Sequence, residues 1–399
     1  MKKIIKTSYM ILLIVGFILL SSCFNGLDST DDKKTGEVEK PNEEVDKNED
    51  DTTKPHVHIE SSWNVVEEAT CQKEGKKEIF CVECQEVLEE DTIDKVEHAY
   101  VNNKCTMCGK EKIYPTGVPY IENERTYINL GKYPQTVVDD EILINELNKI
   151  TTTNNLGYIE YNGNEYKKQL ANPISNSNAF PNGDIIIKDQ IYYFKVEPIK
   201  WRLLEETAEG YKLLSENILD IHSYYIPTQN RKINGKMVDN NNYEYSDIRA
   251  WLNGYDGTSY GVEDYTGIGF LDIAFTKEEQ KIIKTTLVDN SVESTKDTTN
   301  PHKYNNTNDK IYLLSYKDVT NSSYGFKAVG EDVQKQAAVT DYALARGCSA
   351  FNNRIGSWWL RSPFNTNSEY SWFIMPSGMF GFCIVDMKNG VRPGLEITA

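Results

Sequence analysis

Between residues 56 and 108 the chain carries five of its eight cysteines and three of its five histidines. The cysteines are Cys71, Cys81, Cys84, Cys105 and Cys108, and the histidines are His56, His58 and His98. So short a segment has too few apolar residues to build a stable core, so a cross-link must supply part of its folding free energy. Cys81/Cys84 and Cys105/Cys108 form two Cys-x-x-Cys pairs separated by twenty residues, which is zinc-ribbon spacing. Two thiolates three apart on a tight turn can point at one small cation, and two such turns complete a tetrahedron. Short strands are expected over residues 76–80 and 87–92, and Gly109 sits where the second turn needs a glycine. A second partition, Cys71/Cys81/Cys84/His98, is equally legal chemistry. The ribbon tetrad is preferred, with zinc in a structural role. Disulfides are the competing expectation, because the chain is read as exported.

The same stretch hints at an internal repeat. His58 and Trp63 lead to Cys81/Cys84; His98 and Tyr100 lead to Cys105/Cys108 and Gly109. This order resembles small metal-binding repeats on surface proteins of Gram-positive anaerobes. Those repeats have Gly after the first Cys-x-x-Cys, where this chain has Gln85.

The export reading comes from the first residues. Lys2, Lys3 and Lys6 precede an apolar run over residues 9–20, followed by Ser21-Ser22-Cys23. A charged start, a short apolar segment and small residues before a cut describe a secretory signal. The run is shorter than the roughly 20 residues a spanning helix needs. Small residues followed by cysteine resemble the bacterial lipobox, which implies cleavage after residue 22 and lipid on Cys23. Lipid would then be the membrane attachment, at the extracytoplasmic face of the cell membrane. Residues 23–55 follow; 11 acidic and 5 basic residues lie within 24–55, with almost nothing apolar. This composition predicts a disordered acidic tether. The whole chain has 60 acidic against 43 basic residues, a formal net charge of −17. Such a charge excludes nucleic acid as an expected partner.

After the metal-binding module, assigned to residues 56–112, aromatic residues become dense. Residues 113–399 are enough for one large domain. Strands are expected at 185–187, 191–196, 199–204, 211–215, 311–314, 372–375, 381–385 and 395–397, with a hairpin through Pro376-Ser377-Gly378. Ser246 is placed to cap a helix ending at Gly254, Thr276 with Glu279 to form a capping box, and Ser315 and Thr340 to cap further turns. The class expected is α+β: a small twisted antiparallel sheet, few helices and long loops.

Six ordered motifs carry a family resemblance. They are Gly131-Lys132-Tyr133-Pro134-Gln135, the run from Pro198 through Trp201 to Leu204, and Tyr245-Ser246-Asp247-Ile248-Arg249-Ala250-Trp251-Leu252-Asn253. Asp309-Lys310-Ile311-Tyr312-Leu313-Leu314-Ser315, Trp358-Trp359-Leu360-Arg361-Ser362-Pro363 and Gly390-Val391-Arg392-Pro393 complete the set. The order is similar to a domain of unknown function numbered 6273, common in Firmicutes surface proteins. That family looks like a divergent C-type-lectin-like fold, akin to formylglycine-generating enzymes, so the resemblance implies a fold and no activity. Trp201, Trp251, Trp358 and Trp359 are read as core, and Arg249, Arg361 and Arg392 as buried structural arginines paired with carbonyls or carboxylates.

No catalytic motif stands out. His-Glu-x-x-His, Gly-x-Ser-x-Gly and a phosphate-cradling glycine loop are all missing from the sequence. The oxidase relatives of this fold use a close cysteine pair, whereas Cys348 and Cys383 are 35 apart. The sequence therefore favours a non-catalytic surface domain that binds an extracellular glycan or protein. Its Tyr- and Asn-rich loops at 223–245, 255–269 and 364–370 are the expected contact segments. The alternative is an exported enzyme acting on surface carbohydrate or protein.

Overall fold

The computed structural model describes residues 57–101, 104–226, 231–352 and 354–398. The signal segment 1–22, Cys23, the acidic tether 23–55 and His56 lie outside the described residues. The chain divides into two compact units, Met1–Glu97 and His98–Ala399. The break precedes His98 instead of following Lys112, for a reason visible in the side chains. The Lys112 ammonium lies over the rings of Tyr100 and Tyr114, and Tyr114 stacks on Tyr120 at 3.6 Å. These contacts tie the second cysteine pair to the sheet that follows it.

In the first unit, strands Asn64–Glu67, Gly75–Phe80 and Val87–Ile93 form an antiparallel sheet with the middle strand at the centre. Lys76, Lys77 and Glu78 face Thr92, Asp91 and Glu90 across the second pairing. There is almost no interior. Among the described residues of this unit, Cys81 is the one buried apolar side chain, while Val57, Ile59, Val65, Val66 and Val87 are exposed.

The second unit is α+β. Its eight-stranded antiparallel sheet runs in the order Ile311–Tyr312, Gly394–Ile397, Gly210–Ser215, Ile191–Thr207, Arg125–Val137, Tyr120–Glu122; Asn164–Leu170 also pairs with Ile191–Thr207 and carries Ile159–Tyr161. The expected strands 191–196 and 199–204 are one 17-residue strand. Pro198 cannot donate to a ladder, so the register shifts between Pro198 and Lys200 and the strand continues past the shift. The expected strand at 185–187 is only an isolated bridge from Ile185 to Ala179. A second sheet runs Asp220–Ser223, Lys388–Val391, Trp358–Pro363, Tyr370–Ile374, Phe380–Ile384, with one parallel pair between Trp358–Pro363 and Lys388–Val391.

Trp201, Trp358 and Trp359 are fully buried, and each indole N–H finds a carbonyl: Leu130, Lys335 and His222 in turn. That satisfies the polar end of a side chain whose ring fills the core. The helix Asp247–Asn253 begins at Ser246, whose hydroxyl accepts from the Arg249 N–H, and stops at Gly254 in the left-handed region at φ 65°. Thr340 likewise caps Asp341–Ala345, and Thr276 and Glu279 bond each other reciprocally. Among the described residues no helix is long and apolar enough to cross a membrane.

Candidate metal centres

Each Cys-x-x-Cys pair forms a turn with its own histidine. In the first, the Gln85 N–H donates to Cys81 O at 2.9 Å, and the Cys81 N–H to Glu86 O at 2.9 Å. In the second, Gly109 donates to Cys105 O at 2.8 Å, and Cys105 to Lys110 O at 2.8 Å. The residue after the leading cysteine then donates to the residue after the histidine. Val82 donates to Ile59 O and Thr106 to Ala99 O, both at 2.9 Å. His58 Nδ1 lies 3.5 Å from Cys84 Sγ, and His98 Nδ1 lies 3.5 Å from Cys108 Sγ. The two turns are the same hydrogen-bonded knuckle built twice. Both need a left-handed residue after the second cysteine, supplied by Gly109 at φ 72° and by Gln85 at φ 63°.

The ligand atoms of His58, Cys81 and Cys84 lie within 4.8 Å of one another, as do those of His98, Cys105 and Cys108. Imidazole with two thiolates is a donor set that suits zinc, and these clusters can hold a metal ion. The preferred ribbon tetrad is corrected in one respect: each pair gathers its own histidine first, because the backbone bonds after His58 and His98 bring those rings onto the turns. His58 was missed as a ligand by the spacing argument, although the repeat order contained the signal. Cys71 is half-buried in the bend before Gly75–Phe80. Hydrogen bonds from the Cys108 backbone and from His98 bring the Cys105 thiol down to about 6, which favours the thiolate that a metal requires. Among the described residues no cysteine is in a disulfide.

The three arginines of the large unit are held by specific partners. Arg249 forks onto Asp309, with Nε at 2.8 and 3.0 Å from the two carboxylate oxygens. Arg361 donates to Leu313 O at 2.7 Å and to Asp318 at 2.8 Å. Arg392 donates to Ser215 O at 2.8 Å. Burial alone would raise the Asp318 carboxyl, but Arg361 and Lys212 outweigh it and hold that group well below the usual carboxylate range. These charges border a recess of about 500 Å³ whose acidic groups are already engaged: Asp318 with Arg361 and Lys212, Glu396 with Tyr312, and Asp289 with Ser291. Burial pushes the Cys348 thiol up to about 12, and raises Cys383 as well.

Residues 209–399 match the model of a family described as a domain of unknown function (DUF6273). The match covers the motifs from Tyr245 to Pro393; those around Tyr133 and Trp201 fall before it, although their strands belong to the same eight-stranded sheet. No curated protein and no solved structure matches the chain.

The segment that matches this family also bears a partly exposed aromatic face. Along the hairpin, Tyr370, Trp372 and Ile374 stand opposite Ile384, Phe382 and Phe380. Phe364 stacks on Phe382 at 4.2 Å, and Tyr316 on Phe380 at 4.2 Å. Phe382 is 53 % exposed on the outermost strand of its sheet. Trp372 lies at the centre, buried, and its indole N–H has no hydrogen-bond partner among the described residues. The Lys296 ammonium sits 5.1 Å from its ring. Two of the loops expected to make contacts are pinned beside this face. Asn240 donates to both Glu369 carboxylate oxygens at 2.9 Å, and Asn241 donates to Tyr370 O at 2.9 Å.

Proposed function

We propose that this chain is a membrane-anchored surface lipoprotein that carries a zinc-held module and a C-type-lectin-like unit, the latter binding an extracellular glycan without catalysis. The observation that carries the ligand-binding part is the aromatic face of Phe364, Tyr370, Phe380 and Phe382 around Trp372. Sugar rings present C–H faces that stack on such side chains. Asn240, Asn241 and Glu369 fix the rim in advance, which lowers the entropy lost on binding. The recess around Asp318 supports the non-catalytic reading, because Asp318 is already paired with Arg361 and Lys212.

The zinc assignment rests on donor chemistry. His58/Cys81/Cys84 and His98/Cys105/Cys108 would hold the ions as structural clamps, offsetting the missing interior of the first unit. Lipid on Cys23 would keep the whole chain at the extracytoplasmic surface. The test is a glycan array probed with the mature chain, beside an assay for release of reducing ends from the glycans that bind. Binding without turnover supports the proposal. Turnover, or binding of protein extracts with no glycan bound, overturns it.

A further inference from the structure

A second recess in the large unit, of about 290 Å³, sits between the edge of the long sheet and the short helix Asp341–Ala345. Its wall is aromatic, with Tyr133, Tyr158, Tyr342 and Trp251 all contributing. Two cations reach it. Arg346 is fixed on one side: its Nε forms an ion pair with Asp220 at 3.0 Å, and its Nη1 donates to the Tyr342 hydroxyl at 2.9 Å. Asp220 is itself buried and receives the Tyr133 hydroxyl. Arg346 Nη2 has no hydrogen-bond partner among the described residues. The second cation, Lys167, has neither an ion pair nor a hydrogen bond among them; its ammonium lies 5.6 Å from the Tyr158 ring. It has room because Gly157 carries no side chain, and a Cβ there would stand 3.3 Å from the Lys167 nitrogen.

The charge count of this recess is one buried carboxylate against two cations, in a chain whose formal net charge is −17. A protein this acidic gains nothing for solubility from an unpaired, half-buried lysine. Burial and the neighbouring Arg346 both push the Lys167 ammonium down from its usual value, which is the cost that a bound anion would relieve. Asp220 pairs with the Nε of the guanidinium, and Arg346 and Lys167 both line the recess. Two cations lining one recess, Lys167 from the strand Asn164–Leu170 and Arg346 from the end of the helix Asp341–Ala345, beside aromatic walls, make a site for a carboxylate carried on a small ring.

We infer that this recess binds a monosaccharide-sized organic carboxylate, such as a uronic acid, with Lys167 and Arg346 holding the carboxylate and the tyrosine and tryptophan rings flanking the sugar. The site is distinct from the aromatic face around Trp372 and does not depend on it. The experiment is calorimetric titration of the full chain with galacturonate, with methyl galactoside as the neutral analogue and with inorganic phosphate. Galacturonate is expected to saturate one site, with the neutral sugar at least about tenfold weaker, the equivalent of one charge-assisted contact. Lys167→Gln should weaken galacturonate roughly tenfold while leaving the urea midpoint nearly unchanged, because Lys167 makes no ion pair or hydrogen bond among the described residues. Lys167→Arg should restore most of the affinity, and Phe382→Ala should leave it untouched. Equal binding of the neutral sugar, unaltered binding by Lys167→Gln, loss of binding in Phe382→Ala, tighter binding of phosphate, or no binding at all would each overturn the inference.

Discussion

At the scale of single residues, two side chains work against their own preferences. Gln85 holds φ 63° so that Cys81 and Cys84 can share a turn, where the equivalent position in the second knuckle is Gly109. A left-handed non-glycine residue costs on the order of 1 kcal/mol, so Gln85→Gly should stabilise the metal-loaded chain by roughly 0.5–1 kcal/mol in urea unfolding. An unchanged or lower midpoint would show that the turn is not strained. His222 is the other case. Burial lowers it to about 4, despite the hydrogen bond its Nδ1 makes with Ser223 O and the nearby Asp220, with Arg346 and Lys388 adding to the drop. Its folded value lies below the unfolded value of roughly 6.5, so the unfolded chain binds the proton first as pH falls. The stability tied to neutral His222 is complete above about pH 6.5 and is lost between there and about pH 4, by no more than about 3 kcal/mol. His222→Gln should flatten the fall in urea midpoint between pH 7 and pH 4.5. A variant as pH-sensitive as the parent would assign that loss to other groups.

At the scale of elements, the helix Asp247–Asn253 is pinned by an ion pair rather than by its own length. Arg249 projects from it to Asp309, whose side chain has no solvent exposure. Breaking a buried pair leaves a charge with no compensation, so Asp309→Ala should cost about 3–5 kcal/mol in urea unfolding. A cost under about 1 kcal/mol would mean that the pair is solvated in solution. Elements of this kind were legible in the sequence where local chemistry decides them. Ser246 and Gly254 bracket their helix, and the 370–384 hairpin follows its alternation and turn. What could not be read were the long-range choices. Nothing near Arg249 in the chain names Asp309, sixty residues on, as its partner. Pro198 looked like a strand boundary because a ladder cannot use it, yet the sheet absorbs it with a register shift. His58 lies far enough from Cys81 that spacing rules built on cysteines overlooked it. Phe364 and Phe382 are unremarkable in sequence and become a face only when the hairpin brings Phe364 over Phe382.

At the scale of the whole molecule, one unit is all surface and the other has a large interior. The first unit buries Cys81 and exposes Val57, Ile59, Val65 and Val66, so its fold should depend on metal. Metal analysis of the purified chain should find one zinc per knuckle, and Cys84→Ser should remove one of them. Chelation should release hydrogen-exchange protection from Gly75–Phe80 while the strand Ile191–Thr207 keeps its own. Full protection of both strands after complete metal removal would contradict a structural role.

The larger unit is a packed scaffold around Trp201, Trp358 and Trp359 that sets an aromatic hairpin at the edge of one sheet. The measurement that tests the binding account most directly is the dissociation constant of the tightest array glycan, compared between the parent chain and Phe382→Ala. Phe382 is 53 % exposed, so its loss should leave the urea midpoint nearly unchanged. The account predicts that the substitution weakens the glycan about five- to tenfold, the equivalent of one stacking contact. An unaltered dissociation constant would contradict it.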